Sequence, residues 1–120
     1  MNFSTLKRTW ITAEIGANHE GNMAVATDLI QKAAQAGVDA VKFQNYSAER
    51  YISHIQKERQ NSARSRELTP EEFRYLSEVA QKNNVTFFST PLSLIDADLI
   101  VHVRDIAIQV DDGVLIGGSF

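Results

Sequence analysis

The stretch Thr9–Phe43, TWITAEIGANHEGNMAVATDLIQKAAQAGVDAVKF, decides the fold of this chain. TWITAEI (Thr9–Ile15) alternates and is rich in β-branched residues, which suits a short strand. GANHEGN (Gly16–Asn22) is a polar turn with a glycine near each end. From Met23 the apolar positions recur at three- and four-residue steps: Met23, Ala26, Leu29, Ile30, Ala33 and Ala34. That spacing is one face of a helix, closed by Gly37. AVKF (Ala40–Phe43) then reads as a second strand.

The same alternation continues outward. Thr69-Pro70-Glu71-Glu72 is a helix start: the threonine can cap, proline fits the first turn, and Glu72 completes a capping box. Phe73, Leu76, Val79 and Ala80 form its apolar stripe, and QKNN ends it. Val85–Ser89 reads as a third strand, Ser93–Val103 as a third helix and Ile106–Val110 as a fourth strand. Between them, residues 45–68 keep no period. A loop of that length in a compact domain is expected to carry function or a short helix. Strands alternating with helices imply parallel pairing through right-handed crossovers. Two architectures fit: an open doubly wound sheet, or part of a (β/α)8 barrel, which takes about 250 residues when complete.

Composition narrows the function. The chain has 120 residues, a formal net charge of −3 and no cysteine. There is no overall positive field to hold a nucleic-acid backbone. Disulfides, thiolate metal sites and a cysteine nucleophile are excluded. No apolar run approaches the ~20 residues of a membrane helix. MNFSTLKRTW lacks the apolar core of a secretory signal, so a cytoplasmic protein is expected.

Parallel α/β folds gather ligands at the carboxyl ends of their strands. Those ends carry Glu14, Lys42 and Gln44 on one strand face, Ser89 and Thr90, then Gln109, Asp111 and Asp112. A carboxylate, an amine, an amide and two hydroxyls converging on one rim suit an anionic, oxygen-rich ligand. Pairing of Lys42 with Glu14 would also settle the cost of a half-buried ammonium without any function. His19, in a polar loop, is expected to be solvated, and a lone histidine is weak evidence for a metal. The Lys57–Arg66 stretch is locally basic but lacks aromatics and reads as a solvated loop.

Four blocks resemble the N-acetylneuraminate (sialic acid) synthase family: AEIGANHEGN (Ala13–Asn22), AGVDAVKFQ (Ala36–Gln44), LTPEEF (Leu68–Phe73) and FFSTP (Phe87–Pro91). The resemblance implies a (β/α)8 barrel followed by an antifreeze-like domain. This chain would then be the N-terminal half of the barrel, roughly four strands with their helices, without the second half or the antifreeze-like domain. The implied reaction condenses phosphoenolpyruvate with an N-acetylated hexose of the N-acetylmannosamine type, giving a nine-carbon 2-keto acid and phosphate. By the resemblance Glu14 is the active-site glutamate, Lys42 and Gln44 are the K-x-Q pair facing phosphoenolpyruvate, and Thr90, with Ser89 beside it, belongs to the phosphate site. The implied cofactor is a divalent metal, Mn or Mg, whose histidine ligands lie on later strands that this chain lacks. The expected partners are the two substrates and either a second copy or a complementing barrel half, with neither nucleic acid nor membrane. Strand four departs from the pattern. Gln109 stands where a phosphate-binding lysine is expected, Asp112 where a serine is expected, and Val114 where an acidic residue is expected. The chain alone is therefore expected to be inactive, and the alternative is a non-catalytic half-barrel acting as an interaction or oligomerisation module.

Overall fold

A computed structural model describes residues 7–101, 107–109 and 115–116. Strand β1 (Thr12–Gly16) leads to helix α1 (Met23–Gln35) and strand β2 (Ala40–Asn45). Two short helices follow, α2 (Ala48–Tyr51) and α3 (Lys57–Arg64), then α4 (Pro70–Lys82) and strand β3 (Thr86–Pro91). Helix α5 (Leu94–Val101) and strands β4 (Ala107–Gln109) and β5 (Leu115–Ile116) complete the series.

The sheet order is β1-β2-β3-β4-β5, and the first three pairings are parallel. Each strand therefore lies beside its predecessor, which is the winding of a barrel wall. A doubly wound sheet would reverse its strand order partway. The helices pack on one face: Ile30 of α1, Phe73, Leu76 and Ala80 of α4 and Ile100 of α5 bury themselves against Val41, Phe43 and Phe87. This is an incomplete parallel sheet with flanking helices, a partial (β/α) barrel that is not closed. β5 is new relative to the sequence reading, and it pairs antiparallel with β4, Ile108 opposite Ile116. The hydrogen-bonding edge of β4 is thus occupied by a returning strand.

The local signals explain the elements. The Asn22 side chain accepts the backbone N–H groups of Ala24 and Val25 and caps α1. Gly37 follows the helix at φ +91°, in the left-handed region that favours glycine. At α4 the capping box is complete: Thr69 Oγ1 accepts the Glu72 N–H at 3.2 Å, and Glu72 Oε1 accepts the Thr69 N–H at 2.9 Å. The aperiodic segment 45–68 contains α2 and α3. Gln60, a buried residue of α3, donates to the Ile52 carbonyl, so a polar side chain takes a position where a periodic sequence would show an apolar one. The third helix and fourth strand are described over Leu94–Val101 and Ala107–Gln109. Val103, Ile106, Val110, Asp111, Asp112 and Val114 lie outside the described residues.

Candidate active site

Alternation along the strands sends neighbouring residues to opposite sides of the sheet. Glu14 pairs in register with Lys42, Lys42 with Phe88, and Gln44 with Thr90, so these residues share the face away from the helices. Toward the amino ends of the strands this inner face is apolar, with Ala40 and Phe88 buried against Trp10. Toward the carboxyl ends it is polar.

Lys42 Nζ lies 2.7 Å from Glu14 Oε2, and the two side chains are 19% and 53% exposed. The lysine is sheltered and the carboxylate sits at the lip. Immediately beyond Glu14 the β1–β2 register shifts, and Gly16 turns at φ +56°. A Cβ on Gly16 would come within 3.3 Å of Glu14 Oε1, so the glycine leaves room for the carboxylate as the chain departs from the sheet. Thr90 supplies a hydroxyl oxygen that is buried and has no partner in the protein. Such an orphaned group in a native fold requires an explanation, and a ligand that accepts or donates a hydrogen bond is one.

Ser89 does not join this group. It is fully buried on the helix side, and its Oγ donates to Asn45 Oδ1 at 2.9 Å. The structure thus brings Glu14, Lys42, Gln44 and Thr90 to one face and places Ser89 on the other. In β4, Ile108 pairs with Ser89, and Gln109 is the next residue along the strand.

Two groupings escaped the sequence reading. The first is a buried polar network at the carboxyl end of β2 and β3. Asn45 Nδ2 donates to the Asp96 carbonyl at 2.8 Å, Arg50 Nη2 donates to Asp96 Oδ1 at 2.6 Å, and Ser93 Oγ donates to Asp96 Oδ2 at 2.6 Å. It borders a cavity of about 230 Å³ on the helix side, reached by Tyr46, Glu67, Thr69 and Leu99. The polar groups around that cavity already have partners: Tyr46 donates to the Ala63 carbonyl and Glu67 accepts the Ala48 N–H. The available signal was the polar pair Asn45 and Ser89 interrupting the helix-facing positions of two apolar strands.

The second is His19, which corrects the solvated reading. It is 1% exposed, stacks on Phe43 with ring centroids 5.7 Å apart, and accepts the Gly21 N–H at Nδ1. Burial pushes its pKa below the ordinary 6.5, Glu72 opposes that shift and Arg66 adds to it. The local basic stretch is a helix whose arginines are engaged nearby, Arg64 with Glu49 and Arg66 with Ser62. Among the described residues no group of three or more His, Asp and Glu is arranged to hold a metal ion, and none of the helices is long and apolar enough to cross a membrane.

Fold and site together define a class: the wall of a (β/α) barrel that presents an ion pair, an amide and a free hydroxyl at its strand ends. The comparisons with known proteins make this specific. The family model described as the NeuB family matches residues 29–111. An uncharacterized protein of Methanocaldococcus jannaschii is 38% identical over 105 residues, covering 88% of this chain and 31% of its own length. The N,N'-diacetyllegionaminic acid synthase of Campylobacter jejuni is 34% identical, covering 79% of this chain and 32% of its own. Among solved structures, the N-acetylneuraminic acid (sialic acid) synthetase of Leptospira borgpetersenii, crystallised with citrate, superposes with a TM-score of 0.81 at 28% identity. It covers 92% of this chain, which spans 40% of that one. The chain belongs to the NeuB family. It spans about a third of the length of the curated relatives it matches.

Proposed function

We propose that this chain is the N-terminal barrel portion, residues 1–120, of a cytoplasmic phosphoenolpyruvate-dependent sugar-acid synthase in carbohydrate biosynthesis. The acceptor is an N-acetylated hexose of the N-acetylmannosamine type, and the products are a nine-carbon 2-keto acid and phosphate. The observation that carries this reading is the inner face itself: Lys42 held by Glu14, with Gln44 and the unpartnered Thr90 hydroxyl on the same side. The names of the legionaminic acid synthase and the sialic acid synthetase to which the chain is similar support it.

In this reading Lys42 supplies a point charge to the phosphoenolpyruvate anion, and Thr90 and Gln44 supply hydrogen bonds to its oxygens. A preorganised cation and donors stabilise the charge that grows on the phosphate as its C–O bond breaks. Glu14, at the lip, orients the acceptor or moves its proton. Ser89 contributes from behind the sheet by fixing Asn45 rather than by touching the ligand. The described residues do not fit a divalent metal, so no step on this chain passes through one. Turnover requires groups from beyond these residues, either in a second copy or in a complementing barrel half. A second reading, a non-catalytic interaction module, draws on helix α5, where Leu94 is 90% exposed and Ile95 and Leu99 are also exposed.

Urea unfolding followed by circular dichroism, with and without phosphoenolpyruvate, tests the first reading. A ligand at a hundredfold excess over Kd that binds only the folded state adds about 2.7 kcal/mol of stability. We expect that increment in the natural chain and its loss in Lys42→Met. No shift in the natural chain, or an equal shift in the variant, removes the proposed anion site.

A further inference from the structure

Residues 16–22 leave the sheet next to Glu14 and return to start α1 through a run of tight turns. Ile15 accepts the Asn18 N–H, Ala17 accepts the Glu20 N–H, and His19 accepts the Asn22 N–H through its carbonyl. Glu20 and Gly21 both have positive φ, +58° and +77°. Such a segment needs a tether, because positive φ is costly for a residue such as Glu20. The one side chain that the segment sends into the core is His19, which is buried against Phe43 on the helix side of β2. Phe43 stands between Lys42 and Gln44, so the imidazole rests on the strand that carries two of the inner-face residues.

The hydrogen bond sets the chemistry. The Gly21 N–H can only donate, so His19 Nδ1 must carry a lone pair. The imidazole is therefore neutral and bears its proton on Nε2. A second proton on Nδ1 would turn an acceptor into a donor facing a donor. The groups around the ring differ in sign: Glu72 of α4 favours protonation, Arg66 of the segment before α4 opposes it, and Phe43 of β2 brings no charge. Gly21 also closes on that segment, since a Cβ there would lie 2.1 Å from the Ser65 carbonyl oxygen. The turn is thus pinned between β2 and the approach to α4, and Glu72 is itself held in the capping box.

We propose that neutral His19 is a positioning residue, a latch that fastens the β1–α1 turn beside Glu14, and that protonation of Nδ1 releases it. Only the placement of Glu14 for catalysis rests on the function proposed above, because the latch can be read without any ligand. The sign follows from burial. A histidine whose pKa falls on folding contributes stability in full above its unfolded value of 6.5, and that contribution is lost as pH falls through the folded value.

Nitrogen-15 NMR of the imidazole reads the tautomer directly, and hydrogen exchange reads the Gly21 amide. In the natural chain at about pH 8 we expect the Nε2–H tautomer. As pH falls below the ordinary histidine range, the Gly21 protection factor, corrected for intrinsic exchange, should drop about tenfold, the equivalent of one lost hydrogen bond. Glu14 and Gly16 resonances should move in the same step. His19→Asn keeps an acceptor near the Nδ1 position but does not titrate, so protection should stay high and the step should vanish. His19→Phe keeps the stacking and loses the acceptor, so protection should be low at every pH. An Nδ1–H tautomer in the natural chain overturns the proposal even if both variants fail to fold. So does a pH step that survives in His19→Asn, or protection in His19→Phe equal to that of the natural chain. Phosphoenolpyruvate binding that fails while the Gly21 step is present would remove the function and leave the latch standing.

Discussion

The two faces of this sheet are made from alternate residues of the same strands, yet they are finished differently. On the helix side, Val41, Phe43, Phe87 and Ser89 are at most 2% exposed, and the polar atoms among them are paired. On the inner side, Glu14, Lys42, Gln44 and Thr90 are exposed or half-buried, and one hydroxyl oxygen is shielded from water without a partner. A helix-side residue therefore works for the fold, and an inner residue works for something the fold does not contain. The comparison predicts that equivalent substitutions on the two faces have unequal and sometimes opposite effects.

The largest effect belongs to Phe43, which stacks on Phe87 at 4.9 Å and supports His19. Phe43→Ala leaves a cavity among the largest side chains of the core and is expected to cost about 3–5 kcal/mol. That is a large share of the stability of a small domain, so urea denaturation should show a much lower midpoint or no folded baseline. A loss below about 1 kcal/mol would mean that the helix side is not the tightly packed face.

A polar residue on the same face should cost less. Ser89→Ala removes the donor to Asn45 Oδ1 and leaves that buried oxygen short of a partner. The expected loss is about 1–3 kcal/mol, read from the same denaturation curves. The network that Asn45 shares with Asp96 also ties β2 to α5, so protection of α5 amides should fall with it.

The sequence displayed much of this arrangement because its strongest signals are local. The Thr69–Glu72 capping box, the stripe Phe73, Leu76 and Ala80, and the strand order could all be read from spacing and residue type, and the structure bears them out. What stayed hidden depends on partners distant in the chain. Helix α3 is polar because Gln60 satisfies Ile52 eight residues earlier, and no apolar period records that bond. Buried His19 looks like any loop histidine until Phe43, 24 residues on, is laid beneath it. Strand β5 has only two described residues, too few for a period to emerge. The site was half legible. Period two placed Lys42 and Gln44 on one face, whereas the register with β2 was needed to separate Thr90 from Ser89.

That separation gives the finest test. Ser89 and Thr90 are adjacent, both are hydroxyl residues, and they face opposite sides of one strand. Thr90→Val keeps the shape and deletes an oxygen that has no partner to lose. Removing an unsatisfied buried polar atom is neutral or stabilising, so the free chain should gain between zero and about 1 kcal/mol where Ser89→Ala loses stability. Phosphoenolpyruvate should reverse the ranking. If the Thr90 hydroxyl waits for a phosphate or carboxylate oxygen, Thr90→Val loses most of the ligand-induced midpoint shift and Ser89→Ala keeps its own. A Thr90→Val chain that is less stable without ligand would mean that the hydroxyl already has a structural partner. The inner face would then be finished by the fold in the same way as the outer one.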